Sequence, residues 1–222
     1  LQMLNRLIAS IAHEIKNPLM SIQAFASIMP EQGSDPSFQH SFAQYVPQEV
    51  DRINRLVESL IHYAKPSRSV KERVDVRELV NECVYLASAS AKNKKMTILC
   101  NCDVTAFILV DRDRVKQALL NLLINSMESI EERMVQQPDA RLSITISAIC
   151  RDKWVALSVR DQGTGMSKES ILNCTEPFYT TKAKGSGMGL ALAKQFVTDN
   201  GGRFHIASEL GQYTEITMLF KE

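Results

Sequence analysis

The sequence predicts a two-part molecule: a helical-hairpin domain forming a dimeric four-helix bundle, followed by an α+β two-layer sandwich. Three observations predict it. Two N-terminal stretches repeat apolar residues at alternating spacings of four and three, the seam of packed helices. A polar, proline-containing stretch from Lys65 to Arg73 then reads as an interdomain linker. Beyond it the period changes, and short alternating strands mix with helices. The expected boundaries are 1–65 for the hairpin, 66–73 for the linker and 74–222 for the sandwich.

Composition narrows the classes of function. A chain of 222 residues with 45% apolar content can build two ordinary cores. A net charge of +1, from 26 basic and 25 acidic residues, gives no reason to expect nucleic acid or an anionic membrane as partner. No run approaches the roughly 18 apolar residues of a membrane span, so this segment is expected to be soluble and to make no membrane contact. The chain begins inside an apolar heptad, which points to a longer protein whose remaining part would hold a sensor or a membrane anchor. Cys83, Cys100, Cys102, Cys150 and Cys174 lack metal-site or disulfide spacing and read as reduced thiols of a cytoplasmic protein. Cys100 and Cys102 are expected on one face of a strand, yet two ligands make no metal site.

In the first helix the seam is Leu4, Ile8, Ile11, Ile15, Pro18, Ile22, Phe25 and Met29. The helix should end near Met29, with Pro30, Gly33 and Pro36 forming a turn. The second repeats the spacing with Val46, Val50, Ile53, Val57, Leu60 and Ala64. One hairpin cannot enclose its own core, whereas two can, so a homodimer is expected. A simple dimerisation stalk would satisfy the same pattern. His13 lies off the seam and should face solvent, with Glu14 beside it and Asn17 one turn away. Neutral imidazole is a good nucleophile near pH 7, and an adjacent carboxylate can accept its proton. Pro18 removes a backbone donor and should bend the helix just beyond this point.

In the second part, Asp75 can cap a helix reaching about Lys92; Thr97–Asn101 and Phe107–Val110 read as strands; Asp111 can cap a helix over about Arg114 to Arg133. Leu142, Ile144 and Ile146 alternate, as do Val155, Leu157 and Val159, giving two strands. A helix from about Leu190 to Asp199 precedes strands carrying Phe204 and Ile206, then Ile216, Met218 and Phe220. The order suggests a two-layer domain with an antiparallel sheet.

Three pieces of this part carry chemistry. Asp161-Gln162-Gly163-Thr164-Gly165-Met166 follows a strand directly; its glycines allow a tight backbone approach, and its carboxylate can accept from an exocyclic amine such as adenine's. A plain tight turn would also explain it. Gly185-Ser186-Gly187-Met188-Gly189-Leu190 opens a helix, where free amides form a phosphate cradle, and Lys182 and Lys184 just before it can meet phosphate charge or simply be solvated. Asn121 and Asn125 share one helix face, and amide oxygens suit Mg²⁺.

The string His13-Glu14-Ile15-Lys16-Asn17-Pro18-Leu19 resembles the phosphoacceptor box of the sensor histidine kinases of two-component signalling. Asn121 to Asn125, Asp161 to Gly165, Glu176 to Lys182 and Gly185 to Leu190 resemble the N, G1, F and G2 boxes of the superfamily these kinases share with type II topoisomerases, mismatch-repair ATPases and the ninety-kilodalton heat-shock chaperones. The resemblance implies a Bergerat (GHKL) ATP-binding fold for the second domain, and ATP and Mg²⁺ as cofactors. Asn125 would be the Mg²⁺ ligand and Asp161 the adenine reader. Lys182, with Gly187 and Gly189, would belong to a phosphate-facing lid, and Thr214 would help hold adenine. Asn121, Gly163, Gly165, Gly185 and Leu190 complete the expected nucleotide-binding set. Ser126 stands where alanine is common and Tyr213 where glycine often precedes the threonine, and the lid is short.

The activity that the resemblance implies is ATP-dependent autophosphorylation of His13, with Glu14 taking its proton, and transfer to an aspartate of a response regulator. Asn17 resembles a position that orients water for the reverse, phosphatase reaction. Donor and acceptor fall in separate domains, so the linker must let them meet. Two rivals are an ATPase clamp of the same superfamily and a non-enzymatic dimeric scaffold.

Overall fold

The computed structural model describes residues 2–64, 70–94, 96–102, 104–138, 140–182 and 185–222; among them the side chains of 2–10, 55, 59 and 62–64 stand outside the description. Residues 65–69 of the expected linker, Lys184, and the side chains of Leu4, Ile8 and Ala64 therefore lie outside the described residues. The chain divides into two compact units: Leu1–Pro66 with Pro177–Met188, and Ser67–Glu176 with Gly189–Glu222.

In the first unit, helix α1 spans Gln2–Gln32 and α2 spans Pro36–Ala64. The turn falls three residues later than the spacing predicts, because Pro30 is accommodated inside α1 and the helix closes with Gly33 N–H donating to the Met29 carbonyl at 2.8 Å. Helices α1 and α2 pack through Phe25, Phe38, Phe42 and Tyr45 near the turn, with Phe25 stacked on Tyr45 at 6.1 Å between ring centroids. Farther along, Leu56 is only 1% exposed. Val50 and Val57, expected in the same seam, are instead 43% and 41% exposed. The inward face of α2 runs through Phe38, Phe42, Val46, Ile53, Leu56 and Leu60, which leaves Val50, Val57 and Ile61 as a second, outward stripe. On α1 the outward apolar residues are Leu19, Met20, Ile28 and Met29, the last also expected in the seam.

The second unit opens with β1, Glu72–Asp75, so Glu72 and Arg73, expected in the linker, belong to a strand. A four-residue strand of Glu-Arg-Val-Asp shows no alternation that could betray it; it forms because β3, Phe107–Val110, pairs with it antiparallel. Asp75 caps α3, Val76–Asn93, accepting from the Arg77 and Glu78 amides, and Asp111 caps α4, Arg112–Gln136, accepting from the Arg114 amide. Strands β2 (Thr97–Asn101), β4 (Ser143–Arg151), β5 (Trp154–Asp161), β6 (Arg203–Glu209) and β7 (Tyr213–Lys221) form one sheet in the order β2-β4-β5-β7-β6. The sheet is mixed, not wholly antiparallel: β2 runs parallel to β4, and the crossover through β3 and α4 supplies the length that a parallel connection needs. Between β5 and β6 lie α6, Gly189–Asp199, and before it the short helix α5, Lys168–Asn173, which no periodicity in the sequence predicts.

One face of the sheet is buried. Ile144, Ile146 and Ala148 of β4, Val155, Leu157 and Val159 of β5, and Ile216, Met218 and Phe220 of β7 form it. Against them pack Leu119, Leu122, Leu123 and Ile130 of α4 and Leu192 and Phe196 of α6, while Leu79 and Val80 of α3 are buried where that helix meets α4 and β2. The other face alternates into solvent, which gives the two layers the sequence predicts.

Cys83 and Cys102 are buried, and burial, more than any neighbouring charge, pushes each thiol up to about 12. The two thiols of the C-x-C do not share an exposure class, because Cys102 lies just past the end of β2 and turns inward while Cys100 is exposed. A brief native alkylation pulse should therefore label Cys100 and spare Cys83 and Cys102, read by peptide mass spectrometry; labelling of Cys83 at the same rate would mean that α3 opens locally. Leu123 is fully buried, and Leu123→Ala should cost about 2–5 kcal/mol in the urea transition of this unit.

Candidate functional site

On α1, His13 is exposed and its Nδ1 lies 3.4 Å from the Asn17 side-chain nitrogen, one turn on. Whether Nδ1 accepts from the amide or donates to it depends on the tautomer and on which way the carboxamide is turned. Glu14 points elsewhere, as adjacent helical residues must. Its carboxylate is paired at 3.1 Å with Arg52 of α2, both side chains being about four-fifths buried. Arg52 Nε, and Glu49 Oε2 one turn earlier, are buried without a hydrogen-bond partner among the described residues. The expected His13–Glu14 pair is thus present in sequence, with the carboxylate held across the hairpin by Arg52, a residue that no motif singles out. Pro18 is buried and α1 continues through it.

In the second unit the centre is Asp161, at the end of β5 and only 3% exposed. A buried carboxylate is costly unless donors surround it. Here Oδ1 accepts from the Gly163 amide at 2.9 Å and Oδ2 from the Ser126 hydroxyl of α4 at 3.1 Å. Ser126, a departure from the resembled pattern, is therefore a partner of the Asp161 carboxylate. Thr214 of β7 is the register neighbour of Asp161, is 5% exposed, and shares a 2.9 Å hydrogen bond with Ser208 of β6. Tyr213 alternates to the opposite face of the sheet, where the Arg160 guanidinium lies 3.9 Å over its ring, so its bulk does not enter the Asp161–Thr214 face.

The glycines after Asp161 answer to close contacts. A Cβ on Gly163 would meet the Ser129 hydroxyl at 2.0 Å. Gly165 has φ of +66°, and its Cβ would strike the Glu209 carbonyl at 2.0 Å. Asn121 and Asn125 face α6: the Asn121 amide donates to the Gly189 carbonyl at 3.3 Å, and a Cβ on Gly189 would lie 3.4 Å from the Asn125 side chain. The N-terminus of α6, where Leu190 occupies the first turn, thus abuts the asparagine face of α4. The Asn125 carboxamide lies beside the N-terminus of α6, where helix amides have no acceptor within the helix itself, a setting that suits a Mg²⁺ ion accompanied by phosphate oxygens. No cluster of three or more His, Cys, Asp or Glu that could hold a metal occurs among the described residues.

Asn121, Asn125, Asp161, Gly163, Gly165, Gly189, Leu190 and Thr214 are thus all in the second unit, on α4, the end of β5, the start of α6 and β7. Lys182, Gly185 and Gly187 belong to the stretch Pro177–Met188 of the first unit, as do His13, Glu14 and Asn17 to its helices. Within that stretch Phe178 N–H donates to the Gly187 carbonyl at 2.9 Å, and both Phe178 and Gly187 adopt positive φ. The Lys182 amide donates to the Thr180 hydroxyl at 3.1 Å, and a Cβ on Gly185 would meet that hydroxyl at 2.5 Å.

Residues 3–68 match the model of the His Kinase A (phospho-acceptor) domain, and residues 110–222 match that of the histidine kinase-, DNA gyrase B- and HSP90-like ATPase. The sensor histidine kinase ZraS of Escherichia coli K12 is 33% identical over 216 residues, covering 97% of this chain and 45% of ZraS. The signal transduction histidine-protein kinase AtoS of the same strain is 32% identical over 218 residues, covering 97% of this chain and 34% of AtoS. The chain spans less than half the length of these curated relatives. Among solved structures, the histidine kinase ThkA in complex with the response regulator TrrA matches with a TM-score of 0.83 at 22% identity, over 99% of this chain and 62% of that one. Among the described residues no helix is long and apolar enough to cross a membrane. A phospho-acceptor helix pair in front of an ATPase domain that fills half the sequence settles the family: the chain belongs to the sensor histidine kinases of two-component signalling.

Proposed function

We propose that this chain transfers the γ-phosphoryl group of ATP to His13 and passes it on to an aspartate of a response regulator. The observation that carries the reading is the pairing, in one chain, of an exposed histidine followed by a carboxylate with a buried, doubly anchored Asp161 beside an asparagine-lined helix face. Phosphoryl transfer asks for positioning and charge neutralisation more than for covalent help. Asp161, held in place by the Ser126 hydroxyl and the Gly163 amide, accepts the adenine amine, and Thr214 lies beside it. Gly187 and Gly189 let the backbone approach the phosphates, which Lys182 meets. Asn125 holds Mg²⁺, which neutralises phosphate charge when bound.

His13 attacks as neutral imidazole, in the tautomer whose Nε2 lone pair is free and whose Nδ1 carries the proton. Glu14 accepts that proton once its carboxylate leaves Arg52. Asn17, within reach of Nδ1, orients the ring during transfer and a water molecule in a regulator-phosphatase reaction. The outward stripes of Val50, Val57 and Ile61 and of Leu19, Met20, Ile28 and Met29 give a second hairpin an apolar surface to cover, which supports a homodimer. That ThkA was solved with a response regulator supports the same class of partner here. Residues 1–65 are then the dimerisation and phosphotransfer domain, 66–71 the linker and 72–222, from the start of β1, the catalytic domain, working in the cytoplasm, where ATP and reduced thiols are found, as part of a membrane-anchored sensor.

Incubation with Mg²⁺ and γ-labelled ATP should give acid-labile, alkali-stable label on the chain that disappears in His13→Gln. Label persisting in that variant would move the acceptor elsewhere, and ATP binding without label would favour a clamp or a scaffold. Asp161→Asn removes a charged acceptor and should weaken ADP binding by about tenfold or more in a calorimetric titration; unchanged affinity would take the adenine contact away from this residue.

A further inference from the structure

Near the C-terminal end of α4, Arg133 gives one guanidinium nitrogen, Nη1, to three backbone carbonyls: Gln162 at 3.0 Å, Gly163 at 3.1 Å and Gln212 at 3.0 Å. The first two belong to the loop that follows Asp161 directly. The third lies in the turn between β6 and β7, two residues before Thr214. With only two hydrogens on that nitrogen, at least one bond is shared, and a cationic donor makes such bonds stronger than neutral ones.

A basic residue in the last turn of a helix has an ordinary explanation, the attraction of the helix's own C-terminal carbonyls. Arg133 does something different, because its contacts leave the helix and join two loops to each other. Those loops are already stitched together: Gly211 N–H donates to the Thr164 carbonyl at 2.6 Å, and Met166 N–H donates to the Ser208 hydroxyl at 2.9 Å. Ser129, one turn before Arg133, accepts from the Thr164 amide at 3.1 Å, and Ser126, one turn earlier again, donates to Asp161. Ser126, Ser129 and Arg133 thus form a polar stripe on α4 beside the one made by Asn121 and Asn125.

We propose that Arg133 is a positioning residue for the nucleotide base. It fixes the Gln162–Gly163 backbone against the β6–β7 turn, and through the Gly163 N–H it aims the Asp161 carboxylate at the face shared with Thr214. The inference rests on the reading of this pocket as the ATP site. It concerns the base and not the phosphates, because none of the three carbonyls belongs to the asparagine face or to the N-terminus of α6.

The test uses the full 222-residue chain with Arg133→Gln and Arg133→Lys. ADP binding is measured by calorimetry, binding of tripolyphosphate, which has no base, by the same method, and autophosphorylation as kcat and KM. Arg133→Gln should raise the ADP Kd and the ATP KM by about tenfold, leave kcat at saturating ATP within about twofold, and leave tripolyphosphate binding unchanged. Arg133→Lys, whose ammonium can reach carbonyls with three donors, should restore ADP binding to within about threefold. Unaltered ADP affinity in Arg133→Gln, or equal losses for ADP and tripolyphosphate, would overturn the inference. Should that variant not fold, Arg133→Met, which keeps the packed stem, carries the same expectation. Absence of ADP binding in the unsubstituted chain would instead overturn the ATP reading, and this inference with it.

Discussion

A carboxylate placed out of reach of water must be surrounded by donors, and that requirement organises the second unit. Asp161 sits at the end of β5, where the strand supplies one wall, α4 a hydroxyl, and the turn after the strand an amide. Each donor constrains its own element. Gly163 lies so close to α4 that a methyl group would collide with Ser129, and Gly165 so close to the β6–β7 hairpin that only positive φ serves. The packing of α4 against α6 then places the two asparagines at a helix N-terminus. The charge demands fixed dipoles, and the fixed dipoles demand the glycines.

Much of this was legible because it is local. An aspartate ahead of an apolar-periodic run marks a helix start, and Asp75 and Asp111 cap their helices as their positions predict. Strands β2 and β3 fall on the residues that their β-branched and aromatic composition marked. Glycine-rich turns and asparagines four apart also announce themselves within a few residues. What escaped was long-range. Strand β1 exists only by pairing with β3, the parallel alignment of β2 with β4 is a property of the crossover, and α5 is too short to show a period. Ser126 was visible only as a departure from a pattern, while its bond to Asp161 spans 35 residues. Arg133 showed no sign at all, because it reads backbone carbonyls 29, 30 and 79 residues away, and backbone has no sequence.

In the first unit the helical period was clear but its phase was not. A four-three repeat fixes which residues share a stripe only when there is one stripe. Helix α2 has two, one residue apart in places, so Leu56 is buried where Val57 was expected. The reactive end has a comparable ambiguity. His13 and Glu14 are neighbours in sequence, yet a helix sends them about 100° apart, and the carboxylate finds Arg52 across the hairpin. Under the proposed reading, proton acceptance by Glu14 would compete with a partly buried ion pair, which would make that step dependent on how α1 and α2 lie against each other.

The outward stripes have a consequence for what stability means in this molecule. The second unit closes its own core and has a free energy of unfolding that belongs to one chain. A hairpin that keeps Val50, Val57 and Ile61 in contact with water does not: in the proposed homodimer a second copy would cover them, and its folding would be coupled to association and follow mass action. Under that reading the same polypeptide would have one part whose order is intrinsic and another whose order rises with the number of its neighbours, so abundance in the cell would become a structural variable.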